Sequence, residues 1–352
     1  MIHAGLYYPI SSAKTRLCLR GRELMYQVCS KFSIPHHKVG KWIFARNDID
    51  PRWSSDQAST AATKHSEEQY LHTLQDKCKL LGIPHRWIFN SEILEKEPHL
   101  RASVALESPE TGIVDSHCLM NFYRSVLETN GGIVALQTVL VDSKRLSNGY
   151  HLKMCNFERM EETDWVRCRF VVNSAGLRAD HVSRILMGDA SPYRLFHAKG
   201  HYYSYSGKPL VSRLAYPIPD RNLASLGVHT VLDLAGRMKF GPDIEYLPTA
   251  DEYPDYSFLD TPARKQVFYN TVKTYLPDLD INKITPDFCG IRPKLASEGG
   301  AFQDFIIKRE APNFPDLVNL IGIESPGLTS SMAIADEVAQ LFEYPYRSWA
   351  EI

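Results

Sequence analysis

The segment GIESPGLTSS, residues 322–331, sets glycines at the end of an apolar run and small residues ahead of a helical pattern. Glycine lets a backbone approach a ligand closely. Unpaired amides at a helix start can meet a phosphate, a carboxylate or an electron-rich ring oxygen. The same residues also suit a tight structural turn. VVNSAGLRAD, residues 171–180, is a second junction of this kind and carries Ser174, Ala175 and Gly176. Arg292 stands in CGIRPKL between Gly290 and Pro293. An arginine constrained in this way can offer a bidentate fork to a carboxylate, or close an internal salt bridge. His229 ends the apolar stretch SLGVH, and His3 lies near Tyr7 and Tyr8. Either imidazole can take a proton near neutral pH, and either can be a satisfied structural histidine.

These residues need elements to position them. Pro9, Ser11 and Ser12 read as a turn into a helix whose Leu17, Leu24, Met25 and Val28 recur at helical spacing. VGKWIFA reads as a strand, and polar sequence with Pro51 then leads to a helix over about 64–81. A short strand, IPHRWIFN, precedes a brief helix that stops before Pro98. HCLMNFYRSVLETN is helical, and two strands meet at Asn148-Gly149. WVRCRFVVNSAG reads as a single strand entering the interior, with LRADHVSRILMG carrying it into a helix. From Tyr193 to about Leu247, aromatic strand-like pieces predict an antiparallel sheet. TPARKQVFYNTVKTYLP is a helix with Pro262 near its first turn. LVNLIGIES is a strand, PGLTSS a turn and MAIADEVAQLF a helix. Strand–turn–helix units at both ends with an antiparallel region between them predict an α/β domain holding an α+β insertion.

The bulk composition narrows the classes. The chain of 352 residues is 44 % hydrophobic and 23 % charged, enough for a core that buries roughly three quarters of the extended surface. Its 40 basic and 41 acidic residues give a net charge of -1, so nothing global attracts nucleic acid. Seven cysteines without a CxxC pair predict a reducing compartment, and no metal ligands stand at local spacing. MIHAGLYYPI lacks the basic stretch and apolar run expected of a signal peptide, and no uncharged apolar run approaches the ~20 residues of a membrane span.

Together these segments resemble the L-2-hydroxyglutarate dehydrogenase family, within the D-amino-acid-oxidase-like flavoproteins. The stretches that carry the resemblance are IHAGLYYP, KTRLCLRGRELMYQ, GKWIFA, TGIVD, VVNSAGLRAD, FGPDIEY, GIRPKL, DFII and NLIGIESPGLTSSMAIADEV, in family order along essentially the whole chain. The resemblance implies a discontinuous Rossmann-like FAD-binding domain from residues 1–34, 111–191 and 286–352. Residues 35–110 and 192–285 would form an α+β substrate domain with an antiparallel sheet. It implies FAD as cofactor and oxidation of a small dicarboxylate 2-hydroxy acid, L-2-hydroxyglutarate, to 2-oxoglutarate. Ser174, Ala175 and Gly176 would lie near the cofactor, as would Gly322, Ser325, Pro326, Gly327, Leu328, Thr329 and Ser330. Arg292 would clamp the substrate carboxylate, with Lys294 and Tyr8 as further substrate contacts. His229, or else His3, would be the base; His229 is preferred because no upstream chain holds His3. The resemblance also implies a mitochondrial location with peripheral membrane association, the cytoplasm being the alternative. It leaves the electron acceptor and the oligomeric state open.

Family members open with a strand, a GxGxxG-type loop, a helix and a second strand ending in an acid, which together hold the pyrophosphate and a ribose hydroxyl. This sequence contains no such loop and starts about where the family emerges from that unit, roughly 50 residues in. A central parallel strand would then be absent, leaving its neighbour with an uncovered edge and FAD binding weak. Of a misassigned start, a decayed gene and a true short form, the first is the expectation. Two alternatives stand beside the dehydrogenase: a related amino or hydroxy acid oxidase that passes electrons to oxygen, and a truncated, inactive binding protein.

Overall fold

The structure is a computed structural model that describes residues 1–46, 61–218, 227–248, 255–343 and 349. The polar stretch around Pro51 lies outside them. The helices are α1 (Ala13–Lys31), α2 (Ala61–Leu81), α3 (Asn90–Lys96), α4 (Ser116–Thr129), α5 (Ala179–Met187), α6 (Pro262–Lys273) and α7 (Gly327–Leu341). The first nine strands are β1 (His36–His37), β2 (Lys41–Ala45), β3 (Arg86–Phe89), β4 (Val104–Ser108), β5 (Ile113–Val114), β6 (Thr138–Leu146), β7 (Gly149–Asn156), β8 (Thr163–Cys168) and β9 (Val171–Asn173). The others are β10 (Phe196–Tyr205), β11 (Leu214–Pro217), β12 (His229–Leu232), β13 (Met238–Gly241), β14 (Glu245–Tyr246), β15 (Ile284–Lys294), β16 (Ile306–Glu310) and β17 (Phe314–Ile321).

The chain forms two compact units. Unit 1 comprises Met1–Ser11, Pro35–Asp115 and Ala198–Ile291; unit 2 comprises Ser12–Ile34, Ser116–His197 and Arg292–Ile352.

Unit 1 holds two larger sheets. One runs β11-β2-β4-β3, and the other runs β12-β13-β10-β14 with β15 on β10. All five residues of β2 are buried, as expected for a central strand that, apart from Lys41, is apolar. β11 corrects the expectation of one antiparallel sheet over 193–247, because it leaves that region and pairs parallel with β2, Ala215 opposite Trp42. Thr230 ties β12 to β11, its hydroxyl accepting from the Ala215 amide at 2.7 Å and donating to the Ala215 carbonyl at 3.2 Å. Around these strands Trp42, Phe44, Tyr203, Phe240, Phe268 and Tyr275 fill the interior. α6 starts where Thr261 caps the Arg264 amide, with Pro262 supplying the fixed φ of a first helical residue.

In unit 2 the parallel pair β17–β9 is extended by antiparallel β16, and a separate meander runs β6-β7-β8. The expected single strand over 165–176 is in fact two, in different sheets. β8 is largely exposed and pairs with β7, where the Trp165 ring packs at a tilt against His151, centroids 4.6 Å apart. β9 pairs with β17. Alternation alone did not reveal the break at Arg169-Phe170. β9 ends its sheet among the described residues, and Val172 on it is 41 % exposed.

α1 begins at an N-cap with two partners. The Ser12 hydroxyl accepts from the Thr15 amide at 3.1 Å, and the Asp304 carboxylate takes the Ala13 and Lys14 amides at 2.6 and 3.0 Å. α7 starts at Gly327, five residues before the expected Met332, so GLTSS is helix and not turn. Its small residues are explained by packing: at Gly21 of α1 a Cβ would lie 2.8 Å from Ser330 Cα and closer still to the Thr329 carbonyl. No described helix is long and apolar enough to cross a membrane.

Candidate active site

Because β9 and β17 are parallel and adjacent, with Val171 opposite Leu317 and Asn173 opposite Asn319, the turns after them leave from the same end of the sheet. The carboxyl ends of parallel strands are where open α/β sheets bind ligands. Asn173 holds the first turn in place. Its amide nitrogen donates to the Ala179 carbonyl at 2.7 Å and to Asn319 Oδ1 at 2.8 Å, while its oxygen accepts from the Ala175 amide at 3.3 Å. Asn319 in turn donates to Glu310 at 2.9 Å, and the Tyr193 hydroxyl donates to the same carboxylate at 2.6 Å. Burial pushes the Glu310 pKa up, but hydrogen bonds from Tyr193, Asn319 and Lys308 outweigh it and hold the carboxyl below its usual range.

Ser174, Ala175 and Gly176 are therefore pinned from beneath yet exposed above. Gly176 has φ +57° and nothing within 4 Å of where a Cβ would stand. In the second turn Gly322 takes φ +69°, a conformation that favours glycine, with Leu295 packed where a Cβ would point. The Glu324 amide donates to the Gly322 carbonyl and the Gly327 amide to Glu324. α7 then begins with Pro326 as N-cap and no side-chain cap. Ser325 and Leu328 are exposed, whereas Pro326, Gly327, Thr329 and Ser330 are buried. The Ser330 hydroxyl has no hydrogen-bond partner among the described residues. Two open turns, one leading into an uncapped helix, suit the ring and polar atoms of a flavin.

Arg292 is half-buried near the end of β15. Its guanidinium makes no hydrogen bond or ion pair among the described residues, so the internal salt bridge open to it from the sequence is not formed there. Lys294 differs. It pairs with Glu324 Oε2 at 2.8 Å, while Lys14 holds Oε1 at 3.0 Å, so one carboxylate of the GIESPG turn sits between two ammonium groups.

Unit 1 carries a separate cluster. His229 opens β12, is 6 % exposed, and stacks on the Tyr216 ring at 3.7 Å and 15°. Its Nδ1 lies 3.3 Å from the Thr230 carbonyl. A carbonyl only accepts, so a hydrogen bond there places the proton on Nδ1. Lys41 lies 4.8 Å from the Tyr216 ring centroid and 4.4 Å from that of Tyr7. The Tyr8 carbonyl accepts from the Lys77 ammonium. His3 follows Ile2, which exchanges two backbone hydrogen bonds with Gly112 at 2.7 and 3.0 Å. The tether whose absence weighed against His3 is thus supplied by Gly112.

Sequence reasoning missed Asn173, Glu324 and Lys41 as site-building residues. Lys41 had the clearest signal, a lone charge inside an otherwise apolar strand. Among the described residues no group of three or more His, Cys, Asp or Glu side chains is placed to hold a metal.

Comparison with known proteins agrees with this architecture. The chain is 34 % identical to the mitochondrial L-2-hydroxyglutarate dehydrogenase of Arabidopsis thaliana, over 97 % of this chain and 74 % of that one. It is 26 % identical to the human protein of the same name, over 97 % and 79 %. Among solved structures it is similar to the dithionite-reduced, FAD-bound L-alpha-glycerophosphate oxidase of Mycoplasma pneumoniae, with a TM-score of 0.78, 21 % identity, and coverage of 98 % and 83 %. It also resembles glycine oxidase from Geobacillus kaustophilus, with a TM-score of 0.72, 18 % identity, and coverage of 99 % and 84 %. Residues 1–341 match the DAO family, described as FAD dependent oxidoreductase, and the chain belongs to that family.

Proposed function

We propose that the protein oxidises L-2-hydroxyglutarate, or a close small 2-hydroxy acid, to the 2-oxo acid. The observation that carries this reading is the half-buried guanidinium of Arg292, which has no partner among the described residues and is a fork available to the substrate's C1 carboxylate. The 34 % identity to a protein named for this activity supports the choice of substrate.

FAD, when bound, supplies the acceptor for the hydride that leaves C2. The residues of the chain do the rest. His229 accepts the hydroxyl proton on Nε2, Nδ1 being directed at the Thr230 carbonyl. His3 is the competing base. Backbone amides of the Ser174–Gly176 and Gly322–Ser330 segments would lie toward a bound flavin and favour negative charge on it. Arg292 orients the substrate, while Lys294 spends its charge on Glu324. Relatives named as mitochondrial support a mitochondrial location.

An oxidase reading is kept by the solved structures named as oxidases. The two are separated by the electron acceptor: a dehydrogenase reduces an artificial dye far faster than oxygen, and an oxidase produces hydrogen peroxide stoichiometrically. The test of the shared reading is the visible spectrum of the chain after loading with FAD and desalting. Retained flavin that L-2-hydroxyglutarate bleaches supports it. Colourless protein favours an inactive chain.

A further inference from the structure

Asn173, Asn319 and Glu310 are 2 %, 0 % and 5 % exposed, and Asn319 stands in a strand whose Leu317, Val318 and Ile321 are buried as well. Two amides and a carboxylate in such an interior cost free energy that apolar side chains would avoid. The cost is offset only when their polar atoms find partners. Here the partners run in one direction. An ionised carboxylate only accepts, so Glu310 Oε1 takes a hydrogen from Asn319 Nδ2 at 2.9 Å. Asn319 Oδ1 then faces the other way and accepts from Asn173 Nδ2 at 2.8 Å. Asn173 Oδ1 is left for the Ala175 amide at 3.3 Å.

Both ends of this row demand the same orientation. At one end the Ala179 carbonyl also accepts from Asn173 Nδ2, at 2.7 Å. At the other, the Tyr193 hydroxyl at 2.6 Å and the Lys308 ammonium at 3.1 Å hold the carboxylate in place. Ser183 Oγ at 3.3 Å and Met187 Sδ at 3.4 Å are weaker partners of Asn319 Nδ2. Glu310 and Asn173 share no hydrogen bond among the described residues. Yet neither asparagine can turn its amide over without setting donor against donor, or acceptor against acceptor. A turn ordered in advance loses less entropy when a ligand binds to it.

We propose that Glu310 is a positioning residue for the flavin: through the Asn319 and Asn173 amides it fixes the Ala175 amide, and with it the Ser174–Gly176 turn. This deepens the proposed function and rests on its assignment of that turn to the cofactor.

The test is a double-mutant cycle in the full chain with N173D, E310Q and the two combined. Hydrogen exchange of the Ala175 amide is followed in the flavin-free chain, and FAD affinity by fluorescence titration. In N173D the new carboxylate can only accept, so Asn319 must turn and set its oxygen against Glu310. Exchange at Ala175 and the Kd for FAD should each rise about 10-fold or more. E310Q should leave both near wild type, because its amide oxygen still accepts from Asn319, although the Lys308 pair is lost. In the double variant the new amide can donate to the turned Asn319, so the row runs backwards and much of the N173D loss is recovered. Independent damage would add and give no recovery. Additive losses, or unchanged exchange at Ala175 in folded N173D, overturn the proposal. Should N173D not fold, E310M replaces it, and an E310M that matches E310Q in both readouts overturns it equally. If exchange follows the expected pattern while FAD affinity does not, the assignment of the turn to the flavin fails and the control of the turn by Glu310 stands.

Discussion

Tyr216 and His229 lie face to face, their ring centroids 3.7 Å apart and their planes 15° from parallel. The pair comes from strands joined through Thr230 and Ala215, so the orientation of the imidazole is set by the sheet and by a ring that cannot rotate away. A base held in this manner loses little entropy on reaction.

His229→Gln should therefore lower kcat on L-2-hydroxyglutarate by about 10²–10⁴-fold with little change in KM. Tyr216→Leu should give a smaller loss, since it loosens the ring without removing it. Steady-state kinetics of both variants, with His3→Gln alongside, decides between the two histidines. A larger loss in His3→Gln would move the base to His3.

Arg292→Met should raise KM and cut kcat/KM by about 10–100-fold, the range for a lost charge-assisted hydrogen bond. Because its guanidinium has no partner among the described residues, the thermal midpoint should hardly move. A large fall in stability would show that the arginine is structural.

The Glu310 cluster ties stability to pH. Its carboxyl sits below the ordinary value of 4.5 in the folded chain, burial being outweighed by the bonds from Tyr193, Asn319 and Lys308. A depressed folded pKa gives stabilisation that is complete above the unfolded value and is lost as pH falls through the folded one. Thermal melts between about pH 3 and 7 should show Glu310→Gln less stable than wild type at neutral pH, with the gap closing in acid. A gap that widens in acid would contradict the assignment.

Gly21→Ala sets two effects against each other. Alanine improves helix propensity by about 1 kcal/mol. Its Cβ would meet the Thr329 carbonyl and stand 2.8 Å from Ser330 Cα, backbone that cannot swing aside, at a cost of about 1–3 kcal/mol. Net destabilisation is expected in a denaturant melt. A stabilised variant would show that α1 and α7 have room to part.

Burial pushes the Cys29 thiol up to about 11, and Cys78 likewise, with its two lysines opposing. Neither should react with iodoacetamide at neutral pH in the native chain, and both should react once it is unfolded. Fast native labelling, read by mass spectrometry, would show that these interiors open readily.

Much of this architecture is legible in the residues themselves where a local signal specifies the structure. Ser12 before α1, Thr261-Pro262 before α6 and the apolar run of β2 are such signals. What escaped depends on partners distant in the chain. The break between β8 and β9 follows from one strand finding β7 and the other β17. The early start of α7 follows from Gly21, some 300 residues upstream. In the site, Ser174–Gly176 and Gly322–Ser330 stand out as glycine-bearing strand ends. The Asn173 side chain that fixes the first turn acquires meaning only through Asn319 and Glu310. Lys294 stands two residues from Arg292 in the sequence, and only the fold shows that its charge goes to Glu324.

The central claim is that this chain removes a hydride and a proton from a 2-hydroxy acid. Anaerobic titration of the FAD-loaded chain with L-2-hydroxyglutarate tests it most directly. The expected result is bleaching of the flavin with one equivalent of 2-oxoglutarate formed per flavin reduced. A chain that retains flavin but is left fully oxidised by excess L-2-hydroxyglutarate would contradict it.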